Sequence, residues 1–577
     1  MPLLDPRKDK WLAKNILRPL TIATPKDNDF DGADYYEIAM QPIRHTFHPK
    51  LRNIPMWSYG STSPGEVIVA QPGKPVRVLW LNGLAGQSLS SLIEFGDRQG
   101  MESDHALSIC HNQVHLHGAR VPGTSDGFPE EIFHPNEGRA YYYPNVQAAS
   151  TLWYHDHAMD VTRLNVYAGL FGGYILRDPQ EDALLPSGAL EMTLILQDKS
   201  FSGDGKKLYY EQSVDRTKDP AEATPEFLGD YPLVNGQIWP LLELEPRIYR
   251  FRLLNGANTR FFNLFLTTPD DPTTSVLLHV IAMEGGFLPK PVPTTRLLLA
   301  PGERADVLVD LRAYGETALI LRNDAPIPYS GDPADPQFQA DDYGPLDASD
   351  NCAELMKLSV DGRRRSADAA YDPATIKLPK RKDPLPGPPP PSSSDFAAIE
   401  AACNAVPIDA PPANLAAGGI AFKLRRFVLE EVDMEMPTLP GVPVPNVQIN
   451  GKSWHDAGPV EVAKDGLEVW EFVNLTPDTH PMHLHLVQFQ TMSRIRLDTS
   501  TTPPTYVSPA PVDTWEQGFK DTVRCNPSQS TRLLVRFDGY AGHYVYHCHI
   551  LEHEDMGMMF RVDVGVSHIH AKAARGA

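Results

Sequence analysis

Residues 467–474 read LEVWEFVN, a run of apolar and β-favouring side chains that stops at an asparagine. Such a run is a strand entering a turn. The same form recurs at 76–82 (VRVLWLN) and at 248–255 (IYRFRLLN). Working outward, each is preceded by turn-forming residues and followed by a proline-containing turn and another apolar strand, as with Pro301-Gly302 before ADVLVD and Pro527-Ser528 before TRLLVRF. Three copies of one β-sandwich unit account for the pattern. The terminal asparagines stand 173 and then 219 positions apart, so extra chain lies between the second and third copies. The stretch from Arg363 to Leu415, with KLPKRKDPLPGPPPPSSS and an Ala-rich run, supplies it and reads as a surface-wrapped linker. The expected division is residues 1–185, 186–365, a Pro-rich linker over 366–415, and 416–577.

Composition agrees with an all-β chain of several domains. There are 577 residues, of which 55 are proline and only 22% are charged. The length excludes a single small binding module. A net charge of −21 without basic clusters argues against nucleic acid as a partner. No run approaches the roughly 20 apolar residues of a membrane helix, and MPLLDPRKDKWLAKN has no apolar leader core. With five cysteines there is no disulfide scaffold, and an intracellular, monomeric protein is the expectation.

The chemistry is concentrated in histidine. Ten of the 20 histidines fall in four motifs: His115-Leu-His117, His155-Asp-His157, His480-Pro-Met-His483-Leu-His485, and His547-Cys548-His549 followed by His553. Residues two apart on a strand share a face, so each pair presents two imidazoles side by side. Four such pairs supply eight nitrogens to one metal cluster, although imidazole alone does not choose among zinc, copper, iron and nickel. Cys548 chooses. Between His547 and His549 its thiolate points to the opposite face and serves a second metal, which His480, His553 and Met558 complete. Two histidines, a thiolate and a weak thioether form the blue-copper arrangement. Met556 and Met559 are the rival thioethers, read here as packing.

The motifs HLHG (115–118), WYHDH (153–157), HPMHLH (480–485) and HCHILEHEDMGMM (547–559) together resemble the multicopper oxidases, across the whole chain and in family order. SDGFPE (125–130) and WYHDHAMDVTRLNVYAGL (153–170) are similar to the bacterial spore-coat-type laccases and the related bilirubin oxidases and phenoxazinone synthases. The resemblance implies three consecutive cupredoxin-like Greek-key sandwiches and four copper ions. It implies a type 1 copper held by His480, Cys548, His553 and Met558, and a type 2 copper held by His115 and His483. The type 3 pair would be held by His117, His155, His157, His485, His547 and His549. A small aromatic donor would give electrons to the type 1 copper, and Cys548 would carry them through the backbone to a cluster that turns O₂ into water. Glu554 and Asp126 match acidic positions that the similar laccases use for proton delivery. The plainer reading makes Asp126 a turn residue and Glu554 a surface pair.

The repeats support this division without borrowing from the family. Aligning STLWYHDH (150–157) with GHYVYHCH (542–549) sets Asp156 where Cys548 stands, and the middle copy has Asn263, Phe265 and RNDAP where histidine pairs would fall. The middle copy is therefore expected to bind no metal and to act as a spacer. His568-Ile-His570 lies in a polar tail and reads as a decoy. Cys110, Cys352, Cys403 and Cys525 allow three full pairings; a Cys352–Cys403 bridge would clip the linker down. Nucleotide-binding glycine motifs are absent. The segment between Leu497 and Gly518 is expected to shape a donor pocket whose preference among simple phenols, aminophenols and bilirubin is left open. A non-catalytic copper protein is the rival from another class, and a Cu(I)-oxidising enzyme is disfavoured by the shortness of the Met434/Met436 and Met556/Met558/Met559 groups.

Overall fold

A computed structural model of the chain describes residues 3–27, 30, 32–96, 110–211, 226–331, 346, 349–363, 372–381, 393–435 and 443–566. Its strands form three pairs of sheets, one pair for each copy of the repeat. In the first, the sheet containing Asp34–His45 and Val76–Asn82 lies over the sheet of Gly65–Ala70, Phe171–Leu176, Ser150–Asp156 and Val114–His117. Ile38 and Val78 from one sheet and Leu116 and Tyr154 from the other share one core. In the second, Leu253 and Val307 meet Leu264, Leu319 and Leu358. In the third, Phe427, Trp470 and Leu533 meet Met482, Val523 and Tyr546. Alternation along each strand sends every second side chain into these cores.

The asparagine that ends each repeated strand has the same task three times. Asn82 Nδ2 donates to the carbonyls of Cys110 and Phe133, Asn255 Nδ2 to those of Arg260 and Leu299, and Asn474 Nδ2 to those of Asp478 and Cys525. Each Oδ1 accepts the backbone N–H two residues on. All three are buried, so one side chain satisfies backbone groups that leave their ladder where the chain changes direction. In the third copy this pins Cys525, which pairs directly with His480.

The linker is more structured than its composition suggests. Residues 382–392, with most of the prolines, lie outside the described residues, but the Ala-rich run forms a helix, Ser393–Asn404, and Ala413–Ala417 pairs with Ile420–Glu435. Ile399 and Cys403 pack with Phe422, Leu424, Val469 and Leu534 in a small core of their own. Alanine favours helix at little entropic cost, and a hydrophobic patch on the third copy's outer sheet receives it. All five cysteines are free and buried, so none of the pairings exists, and Cys403 is a core residue of that patch. No helix among the described residues is long and apolar enough to cross a membrane. His568 and His570 lie outside the described residues.

The second and third copies are joined by buried charge. Lys520 Nζ lies 2.8 Å from Glu284 Oε2 and 3.0 Å from Glu303 Oε1, with all three side chains out of solvent. Removing one member of such a set strands the others. Lys520→Met is therefore expected to destabilise the protein by about 3–5 kcal/mol, read as a lowered denaturation midpoint; an unchanged midpoint would show that the two carboxylates find other partners.

Candidate metal centres

Two strand pairs deliver the histidines. Val114–His117 runs antiparallel to Ser150–Asp156 with His115 opposite His155, and His480–Leu484 runs antiparallel to Gly542–Cys548 with His483 opposite His547. The first and third copies meet so that these pairs face each other. Phe128 of the first packs with Val545 and Met559 of the third, Tyr544 Oη donates to the Val121 carbonyl at 3.0 Å, and Arg163 pairs with Asp555 at 2.8 Å. All eight cluster histidines are buried. They form three groups, the first two sharing His117: His115, His117 and His483; His117, His155 and His549; and His157, His485 and His547.

The hydrogen bonds show what this pocket is for. Nδ1 of His115, His155, His483 and His547 each meets a backbone carbonyl, of Asp126, Asp156, Asp521 and Cys548, at 2.7, 2.8, 2.8 and 3.0 Å. A carbonyl only accepts, so these rings carry their proton on Nδ1 and turn an Nε2 lone pair inward. Nε2 of His115, His155 and His483 is buried without any hydrogen-bond partner. The inward Nε2 of His547 lies 3.2 Å from that of His485 and 3.3 Å from that of His157. Buried acceptors gathered this closely with no donors are costly unless a cation lies among them. Burial, followed by the neighbouring His157, pushes His155 down to about 3, and burial pushes His157 down to about 4. These two rings stay neutral at physiological pH, as metal ligands must.

The second centre is smaller. Cys548 Sγ is 3.6 Å from His480 Nδ1 and 3.8 Å from His553 Nδ1, and the two nitrogens are 3.2 Å apart. His480 is oriented by Thr476 Oγ1, 2.7 Å from its Nε2. Met558 is buried in the same core as Cys548, and its carbonyl accepts the Cys548 N–H. Met559 instead packs with Phe128 and Val545, and Met556 is half-buried. Burial raises the Cys548 thiol well above its ordinary value, so a bound metal has to favour the thiolate. A soft sulfur with two imidazoles fits copper; the residues present suit it at both centres.

The two carboxylates expected from sequence both reach ligand rings. Glu554 lies 3.1 Å from His547 Nδ1 and 3.5 Å from His157 Nδ1, fully buried rather than on the surface. Asp126 Oδ2 lies 2.7 Å from His485 Nδ1, and burial raises that carboxyl well above the usual range. Asp126 also closes a turn, as the plainer reading expects. Sequence reading missed groups that orient rings from a distance in the chain: Asp521, Thr522 and Glu226, whose Oε1 is 3.3 Å from His553 Nε2. No spacing pattern marks them, because each reaches its ring across a sheet or between units. The 497–518 segment forms a strand, Thr505–Ala510, and a turn, Thr514–Gln517, that packs near Leu288 of the middle copy. Asp156, in the place of Cys548, accepts from Asn112, Gln113, Ala158 and Asn165. In the middle copy, Asn263 bonds Asn323 and Asp324 where ligands would stand.

A protein with one thiolate centre and one eight-histidine centre, built on three β-sandwiches, belongs to the class of copper redox proteins. Multicopper oxidase family models match residues 109–181 and 430–568. A laccase of Bacillus stratosphericus is 35% identical over 92% of this chain and 94% of its own length, and a bilirubin oxidase of Albifimbria verrucaria is 30% identical over 91% and 75%. The solved multicopper oxidase McoA of Aquifex aeolicus is 26% identical, with a TM-score of 0.64 over 95% of this chain and 100% of that one. The chain belongs to the multicopper oxidases.

Proposed function

We propose that this laccase-like, copper-dependent oxidoreductase removes single electrons from phenols, aminophenols or aromatic amines and passes four of them to O₂, forming water. The run His547-Cys548-His549 carries the reading: it presents a thiol to one centre and two imidazoles to the other, so a few covalent bonds separate them. We assign His480, Cys548 and His553, with Met558 as weak fourth ligand, to a type 1 copper. His115 and His483 take a type 2 copper, and His117, His155, His157, His485, His547 and His549 a type 3 pair, four ions in all. Bound copper would supply one-electron oxidation at the first centre and oxygen reduction at the second. The chain orients the ligands, excludes water and delivers protons. We also place domain limits near 185 and 365, with the helix Ser393–Asn404 and the strand Ala413–Ala417 supporting a linker that belongs with the third domain.

Oxygen uptake by copper-loaded protein tests this, with 2-aminophenol, a methoxyphenol, bilirubin and Cu(I) offered separately and peroxide assayed in parallel. Uptake with an organic donor and no peroxide is expected; fully loaded protein that consumes no oxygen with any donor would overturn it. A preference for bilirubin is the second reading, favoured by the likeness to a bilirubin oxidase.

Glu554 stands against two cluster rings, where it can hold a proton next to the reducing centre. Glu554→Gln keeps the shape and removes that capacity. Turnover is expected to fall roughly 10–100-fold while the type 1 centre is still reduced at the normal rate under anaerobic stopped flow; unchanged turnover would reject the role.

A further inference from the structure

None of the ligands assigned above lies in the middle sandwich, yet one of its turns touches the cluster. Arg304, wholly buried, grips Asp521 of the third copy with a two-pronged contact: Nη1 to Oδ1 at 2.7 Å and Nη2 to Oδ2 at 2.6 Å. Its Nε donates to the Thr151 carbonyl of the first copy at 3.0 Å, so a single guanidinium ties all three copies together. Asp521 in turn faces two ligand rings. Its Oδ1 is 3.0 Å from His117 Nε2, and its carbonyl accepts from His483 Nδ1 at 2.8 Å. Thr522 Oγ1, which donates to the same Oδ1 at 3.0 Å, lies 3.1 Å from His117 Nε2.

This has a consequence for the ring itself. His117 Nε2 faces a carboxylate, so that nitrogen carries the proton and His117 turns Nδ1 to the cluster, 3.2 Å from His549 Nε2. His115, His155, His483 and His547 do the reverse, each presenting Nε2. The flip depends on where the Asp521 oxygens point, and the Arg304 fork sets that. The packing leaves the pair no room to turn. Gly118, immediately after His117, has φ +85°, and a Cβ there would fall 2.5 Å from both Arg304 Nη2 and Asp521 Oδ2. Gly302, two residues before Arg304, has φ +81°, and its Cβ would fall 2.7 Å from the His549 ring. One turn of the middle sandwich therefore presses on His549 directly and fixes His117 through Asp521.

We propose that Arg304 is a positioning residue of the oxygen-reducing centre: through Asp521 it determines which nitrogen His117 presents and how His117 and His549 share a copper. The middle domain is then a wall of the cluster and not only a spacer between the other two. This inference rests on the assignment of the eight histidines to one three-ion cluster.

The test compares wild type, Arg304→Met, Arg304→Lys and Asp521→Asn after copper loading and dialysis against a chelator. Copper per chain, the visible absorption of the thiolate-bound copper, and the electron paramagnetic resonance of the cluster copper are read. The thiolate centre, which Arg304 does not touch, serves as the internal control for folding. Arg304→Met and Asp521→Asn are expected to keep the visible absorption and to release cluster copper roughly 10–100-fold faster than wild type, with altered resonance parameters. Arg304→Lys keeps the charge without the fork and is expected to fall between. Wild-type copper retention and spectra in both Arg304→Met and Asp521→Asn would overturn the proposal. So would parallel loss of both centres in every variant, which is the mark of general unfolding. Wild type that retains only the thiolate-bound copper would instead sink the three-ion assignment, and the inference with it.

Discussion

Cys548→Ser is expected to abolish the visible absorption of the protein and to lower donor-driven oxygen uptake by at least roughly a thousandfold, while most of the cluster copper is retained. The serine hydroxyl is close in size, so the core of Met482, Val523 and Tyr546 around position 548 has little to rearrange. What changes is the ligand. A hydroxyl does not ionise at neutral pH and is a hard donor, so it neither forms the thiolate bond nor supports the low-barrier electron transfer of a blue-copper centre. The eight cluster imidazoles lie on the other side of the strand, and His115, His155, His483 and His547 keep their carbonyl partners. Copper per chain should therefore fall by about one ion against the wild type, measured by atomic emission alongside oxygen uptake. Retained activity would mean that electrons reach the cluster without this centre, and the two-centre reading would fail.

Removing all copper is expected to have the other large effect, on stability. The cluster draws His115, His117, His155 and His157 from the first copy and His483, His485, His547 and His549 from the third, so bound ions cross-link two sandwiches. Ligand binding to the folded state adds about 4 kcal/mol per site when the free metal stands about a thousandfold above its dissociation constant. In the metal-free state the inward nitrogens of His115, His155 and His483 are left as buried acceptors without donors, which costs about 1–3 kcal/mol each. The apolar contact of Phe128 with Val545 and Met559 remains, so the chain stays folded but opens more readily between the first and third copies. Calorimetry should show a midpoint that falls on chelation and returns with added copper. With three sandwiches the transition need not be two-state, and the metal-dependent component should be the one that protease cleavage near this interface follows. A midpoint independent of copper would show that the histidines do not bridge the copies.

Much of this was legible from residue order alone. The period-two alternation of VRVLWLN, IYRFRLLN and LEVWEFVN shows strands, and their recurrence shows three copies, because burial on one face of a strand leaves its mark at every second residue. The same local rule places His115 beside His117 and His547 beside His549, and sets Cys548 apart from both. Backbone geometry over two or three residues is enough for that, and no partner is needed. The helix Ser393–Asn404 was hidden in a proline-rich neighbourhood: its place depends on a patch of Phe422 and Leu424 that it covers, not on its own periodicity. The free state of the cysteines was equally out of reach, since pairing depends on distances between distant segments. The orienting groups form the largest gap. Asp521 is 404 residues from His117, and Arg304 is 217 from Asp521. The amino-acid sequence by itself determined the strands, the three copies and the pairing of imidazoles within each motif, because those follow from local alternation and residue chemistry. Only the tertiary structure decided which nitrogen each ring turns inward, because that depends on the hydrogen-bond partner at the ring's other side, a carbonyl of the same copy for His115 and His483 but a carboxylate of another copy for His117 and His485.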